Sequence, residues 1–352
     1  MKNTIKRLFL LLLTLPLCGC FPTGQRNIGT APKRVEGFNT DNIIIYETDI
    51  KTASVYDAKL RNPAHDELPD FFKEMGIKEQ QKMSYSNNPA EDISIYDLNN
   101  STHVSLGLHG ISYSIYDEKF SFQYFADLSH SNGTPDMTRD LFKKTELSSF
   151  SSADAKNVFE DTLSKLGIDN YTMCDHIAFD YETYNRLNTT GKTGEPLPEI
   201  TEDEEAYCVY ANLTVDDIPL VKQSVQTDYN LSYKTQLSAI IDKKGMIRQM
   251  QCGYKFDELK ETKNGNICSY DDALNALKLY YSKIKIKQPI KVRSCQLEYM
   301  MTYNMNSSTL DECVLTPVWA FHCQYDEDTI PESGHVLTFI KAVNALEKDV
   351  VL

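Results

Sequence analysis

The chain has 352 residues, of which 41% are hydrophobic and 11% aromatic, and this content excludes an intrinsically disordered protein. Its formal net charge of −14 argues against binding to nucleic acid or anionic lipid through overall charge. The length is sufficient for two or three domains.

The N-terminus has the pattern of a secretory signal. Lys2, Lys6 and Arg7 form a basic start, and an apolar run from Leu8 to Leu17 follows. That run is too short to span a bilayer, which requires about 20 apolar residues. We therefore interpret residues 1–19 as a signal peptide.

The end of this segment, Leu17-Cys18-Gly19-Cys20, resembles the lipobox of bacterial lipoproteins. The resemblance implies that Cys20 becomes the first residue of the mature protein and carries lipid on its sulfur. Cys18 is the weaker candidate because Leu17 before it is larger than Gly19 before Cys20. A signal that is cleaved without lipidation is the alternative. The predicted location is the extracytoplasmic face of the cell membrane, with the lipid as anchor.

Two regions follow the signal. Residues 20–37 hold the lipidated cysteine and a segment rich in Gly, Pro, Thr and basic residues, which predicts a flexible tether. Residues 38–148 contain short alternating runs between turn residues, which predict a mostly β N-terminal domain with an antiparallel meander. In this domain 67–78 predicts a helix. Its predicted strands are 93–96, 103–108, 111–116 and 120–125.

The pattern changes at residue 149. Ser151 is predicted to cap a helix that runs to about Leu166, and Gly167 ends it. The strands predicted after this helix are 171–181, 206–214, 237–241 and 246–252. A second helix is predicted from Tyr270, capped by Ser269, to about Ile284. The strands predicted after it are 290–303, 317–325, 336–343 and 349–352.

The same order of a helix followed by antiparallel strands therefore occurs twice, in 149–265 and in 266–352. This indicates a weak internal repeat. One such unit has only one sheet face and one helix to bury, whereas two packed units make a sufficient core.

Short motifs in this repeat resemble those of PepSY-like repeats. They are Ser269 to Ala273, Pro317-Val318-Trp319-Ala320-Phe321 and Val343-Asn344-Ala345. Asp217-Ile218-Pro219-Leu220 resembles the Gly-Ile-Pro start of a strand in such repeats, with Asp217 in place of Gly. Leu346-Glu347-Lys348 stand where the final turn usually has Gly.

The resemblance covers about 150–352, and the whole mature chain resembles a group of lipoproteins of anaerobic Gram-positive bacteria. It implies an α+β fold with antiparallel sheets each packed by a helix, as tandem PepSY-like units preceded by the mostly β domain. It also implies a non-enzymatic, envelope-facing module that binds or modulates partners.

Cysteine and histidine provide few candidates for chemistry. Seven cysteines remain beyond Cys18 and Cys20, and an odd number leaves at least one unpaired in a monomer. Cys295 and Cys323 are the first disulfide candidate because they lie in presumed neighbouring strands. Cys174-Asp175-His176 and His322-Cys323 are either buried cysteines and disulfides or parts of a zinc or Cys/His nucleophile site. Adjacent strand residues point to opposite faces, which argues against the second interpretation.

Aromatic and acidic residues have two interpretations each. Trp319, with Tyr299 and Phe321, either lines an aromatic groove for a ligand or belongs to the core beneath a helix. The acidic tracts 202–205 and 326–328 lack the spacing of a Ca²⁺ loop, and we interpret them as solvated loops, with a weak cation site as the alternative. Because motifs for phosphate binding, metalloproteases and serine nucleophiles are missing from the sequence, it predicts no catalytic residue, metal or cofactor.

We therefore expect a membrane-anchored lipoprotein that acts as a non-enzymatic binding or regulatory module for an envelope protein, peptide or wall component, and not for nucleic acid. A solute-binding lipoprotein of a transporter is the first alternative, although that class alternates β and α segments around a cleft between two lobes. An envelope hydrolase is the second, and it requires titratable residues at reacting distance in a pocket.

Overall fold

The structure is a computed structural model that describes most of the chain from residue 31 onward. The described residues are 31–79, 82–85, 92–98, 102–108, 110–115, 142–148, 150–187, 199–222, 224–226, 232–253, 255–303, 311–325 and 338–351. Cys20, the predicted strand 120–125 and the acidic tract 326–328 lie outside these residues.

The described residues form few helices and many strands. The helices are α1 (Asp70–Glu74), α2 (Ser152–Lys165), α3 (Tyr181–Leu187) and α4 (Tyr270–Tyr281). The strands are β1 (Phe38–Asn39), β2 (Ile44–Ile45), β3 (Thr52–Leu60), β4 (Lys82–Tyr85), β5 (Ile93–Leu98), β6 (Thr102–Gly107), β7 (Gly110–Ile115), β8 (Tyr171–Phe179), β9 (Ala206–Val215), β10 (Ile218–Pro219), β11 (Ser224–Gln226), β12 (Ser232–Lys234), β13 (Gln236–Asp242), β14 (Ile247–Cys252), β15 (Phe256–Asn266), β16 (Ile290–Tyr303), β17 (Glu312–Tyr325), β18 (Thr338–Asn344) and β19 (Val350–Val351). The protein is therefore mixed α+β, as the sequence predicted.

Most strands belong to two sheets. The first sheet has the order β10-β9-β13-β14-β7-β6-β5-β4, and β8 also pairs with β9. The second sheet has the order β1-β16-β17-β18-β19; β2 also pairs with β16, and β3 pairs with both β17 and β15. Strands β11 and β12 pair with each other. The pairing is antiparallel except that β1 and β2 run parallel to β16.

The two segments that the sequence relates to each other have the same element order. In 149–265, α2 is followed by β8, β9, β13 and β14, each paired antiparallel with the next. In 266–352, α4 is followed by β16, β17, β18 and β19 in the same arrangement. Both helices begin after a serine, Ser151 or Ser269, whose hydroxyl accepts a hydrogen bond of 3.1 Å from the N–H three residues on. This bond satisfies a donor that the first helical turn leaves unpaired.

Strands from the N-terminal region complete both sheets. Strand β7 pairs with β14, so β4 to β7 continue the sheet of the first segment. Strand β3 pairs with β17 of the second segment and with β15, which spans 256–266. Strand pairing therefore crosses the predicted boundary at residue 148, and β15 runs across the one at residue 265.

The largest hydrophobic cluster joins residues of both sheets and both long helices. Ala155, Phe159 and Leu163 of α2, and Ala273 and Leu277 of α4, are fully buried in it. Their spacing of four residues places them on one face of each helix. Full burial of a Phe or Leu side chain contributes about 1.5–3 kcal/mol, so these faces hold the helices against the sheets.

Two helix predictions were too long. The predicted helix 67–78 is only α1, which starts directly after Pro69, and Gly76 follows it with a φ of +87° that a helix does not accommodate. The helix predicted to extend to Ile284 is α4, which ends at Tyr281, with Ser282 as its C-cap.

Other predictions along the chain need correction as well. The predicted strand 171–181 ends at Phe179, because the carboxylate of Asp180 accepts a 3.0 Å hydrogen bond from Thr183 N–H and starts α3. Strands β3 and β15 were not predicted at all. Almost every residue of β15 is exposed and many are charged, so no alternation of apolar and polar residues marks it in the sequence.

Candidate functional site

The predicted disulfide between Cys295 and Cys323 is not formed. Both residues lie on paired strands, as expected, but the register places Cys295 opposite Phe321 and Cys323 opposite Val292. Diagonal neighbours of this kind are about 7–8 Å apart, beyond the usual disulfide span of about 4.4–6.8 Å. Each cysteine in the described part of the chain is a free thiol.

The three residues of the predicted aromatic groove lie in the core. Trp319, Tyr299 and Phe321 are 6%, 0% and 0% exposed. The indole Nε1 of Trp319 donates a 2.9 Å hydrogen bond to the carbonyl of Cys268, and the hydroxyl of Tyr299 donates one of 2.9 Å to the carbonyl of Ser54. The structure therefore supports the core interpretation, and an open groove at these residues was the wrong alternative.

The neighbours His322 and Cys323 face opposite sides of the second sheet, as strand geometry requires. Cys323 lies in the main core, whereas Nε2 of His322 is 3.0 Å from Oε1 of Glu298. Glu298 is only 3% exposed, and its Oε2 has no hydrogen-bond partner in the part of the chain that is described. Burial, and secondly this carboxylate, raise the pKa of Cys174 to about 11, although part of that residue is exposed. His322 therefore contacts this buried carboxylate, and the charge of the same group contributes to the raised pKa of Cys174.

His176 lies at a different place. Its Nε2 is 2.8 Å from the carbonyl oxygen of Thr145, and its ring centroid is 5.6 Å from that of Tyr207. The hydroxyl of Tyr207 donates a 3.0 Å hydrogen bond to Glu146, which also accepts hydrogen bonds from Ser152 at the start of α2. Within the described ranges no three His, Cys, Asp or Glu side chains are placed to hold a metal ion.

The described thiols are poor nucleophiles because burial raises the pKa of each of them. For Cys208, Cys313 and Cys323 it raises the pKa to about 12, and for Cys252, Cys268 and Cys295 the direction is the same. The thiolate is the reactive form of cysteine. A Cys/His nucleophile at these positions is therefore disfavoured.

A concave site lies where the first sheet meets β15. This cleft has a volume of about 290 Å³, and three segments line it: the loop after α2, the end of β9 with the turn that follows, and the start of β15. Its volume lies just below the range for ligand sites, about 300–1,000 Å³. The cleft is the candidate functional site.

The turn after β9 provides an acidic wall of the cleft. Asp216 and Asp217 have φ values of +50° and +62°, a conformation that reverses the chain into β10. The hydroxyl of Tyr56 donates a short hydrogen bond to Asp216, and burial followed by this bond raises the pKa of Tyr56. Asp169, in the loop after α2, is a second carboxylate of the lining.

A lysine lies at another wall of the cleft. Gly167 ends α2 with a φ of +68°, and a Cβ atom added to it would lie 3.6 Å from Nζ of Lys255. The ammonium group is therefore close to the C-terminal end of α2, where cations are favoured by the helix dipole.

The remaining lining of the cleft is apolar. Leu213 and Val215 are 4% and 5% exposed, Phe256 is half-buried, and Leu259 is 44% exposed. A lysine and two aspartates thus surround an apolar floor. This arrangement can hold an extended ligand through apolar contact along its length and ion pairs to an amine and a carboxylate.

Sequence reasoning missed most of this site. Phe256 begins a strand that has no alternating pattern, Lys255 directly precedes it, and Asp169 is one acidic loop residue among many. Two signals were present: Gly167 was predicted to end α2, and Asp217, next to Asp216 of the lining, was identified at a position where the PepSY-like repeats usually have Gly.

Comparisons with known proteins identify the fold and nothing further. No protein-family model matches the chain, and no curated protein matches it. The structure is similar to the crystal structure of an uncharacterized protein from Eubacterium rectale, with a TM-score of 0.62 and 15% sequence identity over 90% of this chain and 91% of that one. No helix in the described part of the chain is long and apolar enough to cross a membrane.

Proposed function

We propose that this protein is a lipid-anchored extracytoplasmic lipoprotein that binds an extended peptide or wall-derived fragment without transforming it, and so acts as a binding or regulatory module of the envelope. The observation that carries this proposal is the cleft, in which Lys255, Asp169 and Asp216 surround an apolar floor. The Cys20 lipobox supports the location.

Turn conformation supports a description of the two segments as tandem PepSY-like units. Asp217 and Lys348 have φ values of +62° and +60°, and both stand where those repeats usually carry Gly. Positive φ is the conformation that Gly adopts at least cost. The corresponding turn of the first segment has Gly245 at +71°.

Binding fits the chemistry of the cleft better than catalysis. Nucleophilic catalysis requires a nucleophile and a base within hydrogen-bond reach. The hydroxyl of Tyr56 is occupied by Asp216, and the described thiols are held protonated by burial. The described charged groups of the lining are suited to ion pairs with a ligand.

A binding experiment tests the cleft. Soluble peptidoglycan stem peptides and short peptides with free termini are titrated into the full chain by calorimetry. Lys255→Gln is expected to weaken binding about tenfold, since one charged interaction contributes roughly 1.4 kcal/mol or more. Lys260→Gln, on β15 just after Lys255 but outside the lining, is the matched control. The proposal fails if no peptide binds, or if Lys255→Gln and Lys260→Gln bind alike.

The anchor has its own test. Mass spectrometry of the N-terminal peptide from membranes of the expressing cell is expected to show acyl chains on Cys20, and Cys20→Ser is expected to release the protein into the medium. An unprocessed chain in the cytosol contradicts the anchor.

A small solute is the second candidate ligand, because the volume of the cleft suits an amino acid. Free amino acids in the same titration separate the two candidates. Tighter binding of an amino acid than of any peptide would favour a solute-binding lipoprotein.

A further inference from the structure

One edge of this acidic protein is strongly basic. Residues 282–293, here called the basic edge, contain five basic residues and no acidic one, although the whole chain has a net charge of −14. The five are Lys283, Lys285, Lys287, Lys291 and Arg293. None of them forms an ion pair with a residue that the structure describes.

The basic edge lies where the predicted tether joins the folded body. The carbonyl of Gly37 accepts a 2.8 Å hydrogen bond from Ile290 N–H, and a Cβ on Gly37 would lie 3.3 Å from Ile286. Phe38 follows and stacks on Tyr281 with ring centroids 4.4 Å apart. These contacts fix the end of the tether against the basic edge. The predicted tether has 17 residues between Cys20 and Phe38, and a flexible chain of that length reaches about 20–25 Å.

Exposed apolar residues lie in and beside β2, which pairs with the same edge of β16 as β1 does. Strands β1 and β2 pair along this edge, with Ile44 opposite Ser294. Ile44, Ile45 and Tyr46 are 59%, 41% and 51% exposed, and Ile284 within the basic edge is 44% exposed. Consecutive exposed apolar residues that include a tyrosine suit the interface between headgroups and acyl chains.

Nearby acidic residues offset only part of the charge. Glu36, Asp41, Glu47 and Asp49 are exposed close to β1 and β2, but Lys33 and Arg34 stand beside Glu36. Counted over the residues that the structure describes, the basic side chains here outnumber the acidic ones. A neutral partner surface would leave the lysines without counter-charge, and an acidic protein surface would attract them only where its own acidic residues lie. A bilayer with anionic headgroups supplies negative charge over the whole area.

We infer that the basic edge, with Ile44, Ile45 and Tyr46, docks on an anionic phospholipid bilayer and fixes the orientation of the body on the membrane. The inference rests on the proposed anchoring, which brings this edge within reach of the lipid. Each lysine near an anionic surface adds a factor of about five to binding, so three lysines together add about a hundredfold.

Lysine footprinting tests this orientation. The full chain is purified from the expressing cells and bound to vesicles of phosphatidylcholine, with or without phosphatidylglycerol. Lysines are acetylated and quantified by mass spectrometry. Lys283, Lys285 and Lys287 are expected to be protected several-fold on phosphatidylglycerol vesicles, and high salt is expected to remove this protection. Lys260, on β15 at the opposite edge of the sheet, is the internal control and is expected to react equally throughout.

The outcomes separate the inference from the proposed anchor. Equal reactivity of the three lysines on both vesicle types overturns the inference, and so does protection by an added envelope protein instead of by lipid. The acyl mass on Cys20 is measured on the same sample. If that mass is missing, the anchor is wrong, and the footprint of the unacylated protein mixed with the vesicles still decides the inference. The K283Q/K285Q/K287Q variant is expected to lose about a hundredfold in the vesicle affinity of the unacylated protein.

Discussion

Gly110 lies where the N-terminal strands join the sheet of the first segment, and Gly110→Ala is expected to break that junction. An added Cβ would lie 2.0 Å from the carbonyl oxygen of Cys252 and 3.0 Å from Cα of Gly253. Its φ of +93° also strains any residue with a side chain. The left-handed region alone costs about 1–2 kcal/mol. Because the clash involves backbone atoms, β14 must move, and we expect a total loss of roughly 3–5 kcal/mol, at the upper end of single substitutions.

Gly265→Ala is the matched control for this substitution. Its Cβ would meet the side chain of Leu346, with Cδ2 at 3.5 Å and Cδ1 at 3.9 Å. These are ordinary contacts, and a change within about 1 kcal/mol is expected. Urea unfolding is followed by the fluorescence of Trp319, the only tryptophan, which is buried in the second segment. Amide hydrogen exchange of β7 and β14 reports the junction itself. Gly110→Ala with the stability and the β7 protection of the parent would refute the reasoning.

Three further substitutions test the energetics. His322→Ala leaves the carboxylate of Glu298 buried without its imidazole partner, and it is expected to lower the free energy of unfolding in urea by about 2–4 kcal/mol. Glu298→Gln keeps a hydrogen-bond acceptor and is expected to cost less. Equal costs of the two substitutions would contradict this reasoning. The pKa of Glu146 is lowered, mainly by the hydrogen bond from the Ser152 hydroxyl. The ionised Glu146 side chain therefore stabilises the fold above its pKa in the unfolded chain, and this stabilisation is lost as the pH falls through its pKa in the folded protein. Ser152→Ala should therefore cost up to about 1 kcal/mol at neutral pH, limited by the exposure of Glu146, and the difference should disappear in acid; a loss that is constant with pH argues for another cause. Lys348→Gly relieves a φ of +60° but removes the half-exposed ion pair with Asp272. A net gain in stability of about 0.5 kcal/mol is expected in thermal unfolding, and a loss of stability would show that the ion pair dominates.

The elements with strong local signals were predicted closely. Ser151 and Ser269 cap the two long helices as predicted, because the capping bond is formed within four residues and needs no tertiary context. The strand predicted at 290–303 has these bounds in the structure, since both of its faces are packed and its apolar residues are dense.

The cleft could not be predicted because its walls come from residues that are far apart in the chain. Lys255 meets the end of α2 only after β14 and β15 have been placed, and Tyr56 reaches Asp216 from a strand that the sequence did not reveal. The prediction of a disulfide between Cys295 and Cys323 was wrong for a similar reason. Cys295 and Cys323 were correctly placed on neighbouring strands, but the register, which includes a bulge between Val292 and Ser294, decides which side chains are opposite.

Net charge is a property of the whole chain, whereas association depends on the charge that a surface presents within about a Debye length, roughly 10 Å. An overall charge of −14 predicted no attraction to anionic lipid, yet the basic edge holds five cations within twelve residues, beside the end of the tether. The acidic remainder then has a consequence of its own. Once the basic edge faces an anionic surface, that surface repels the acidic faces and so disfavours every other orientation. The acidic faces therefore weaken adsorption overall, but they strengthen the preference for one orientation.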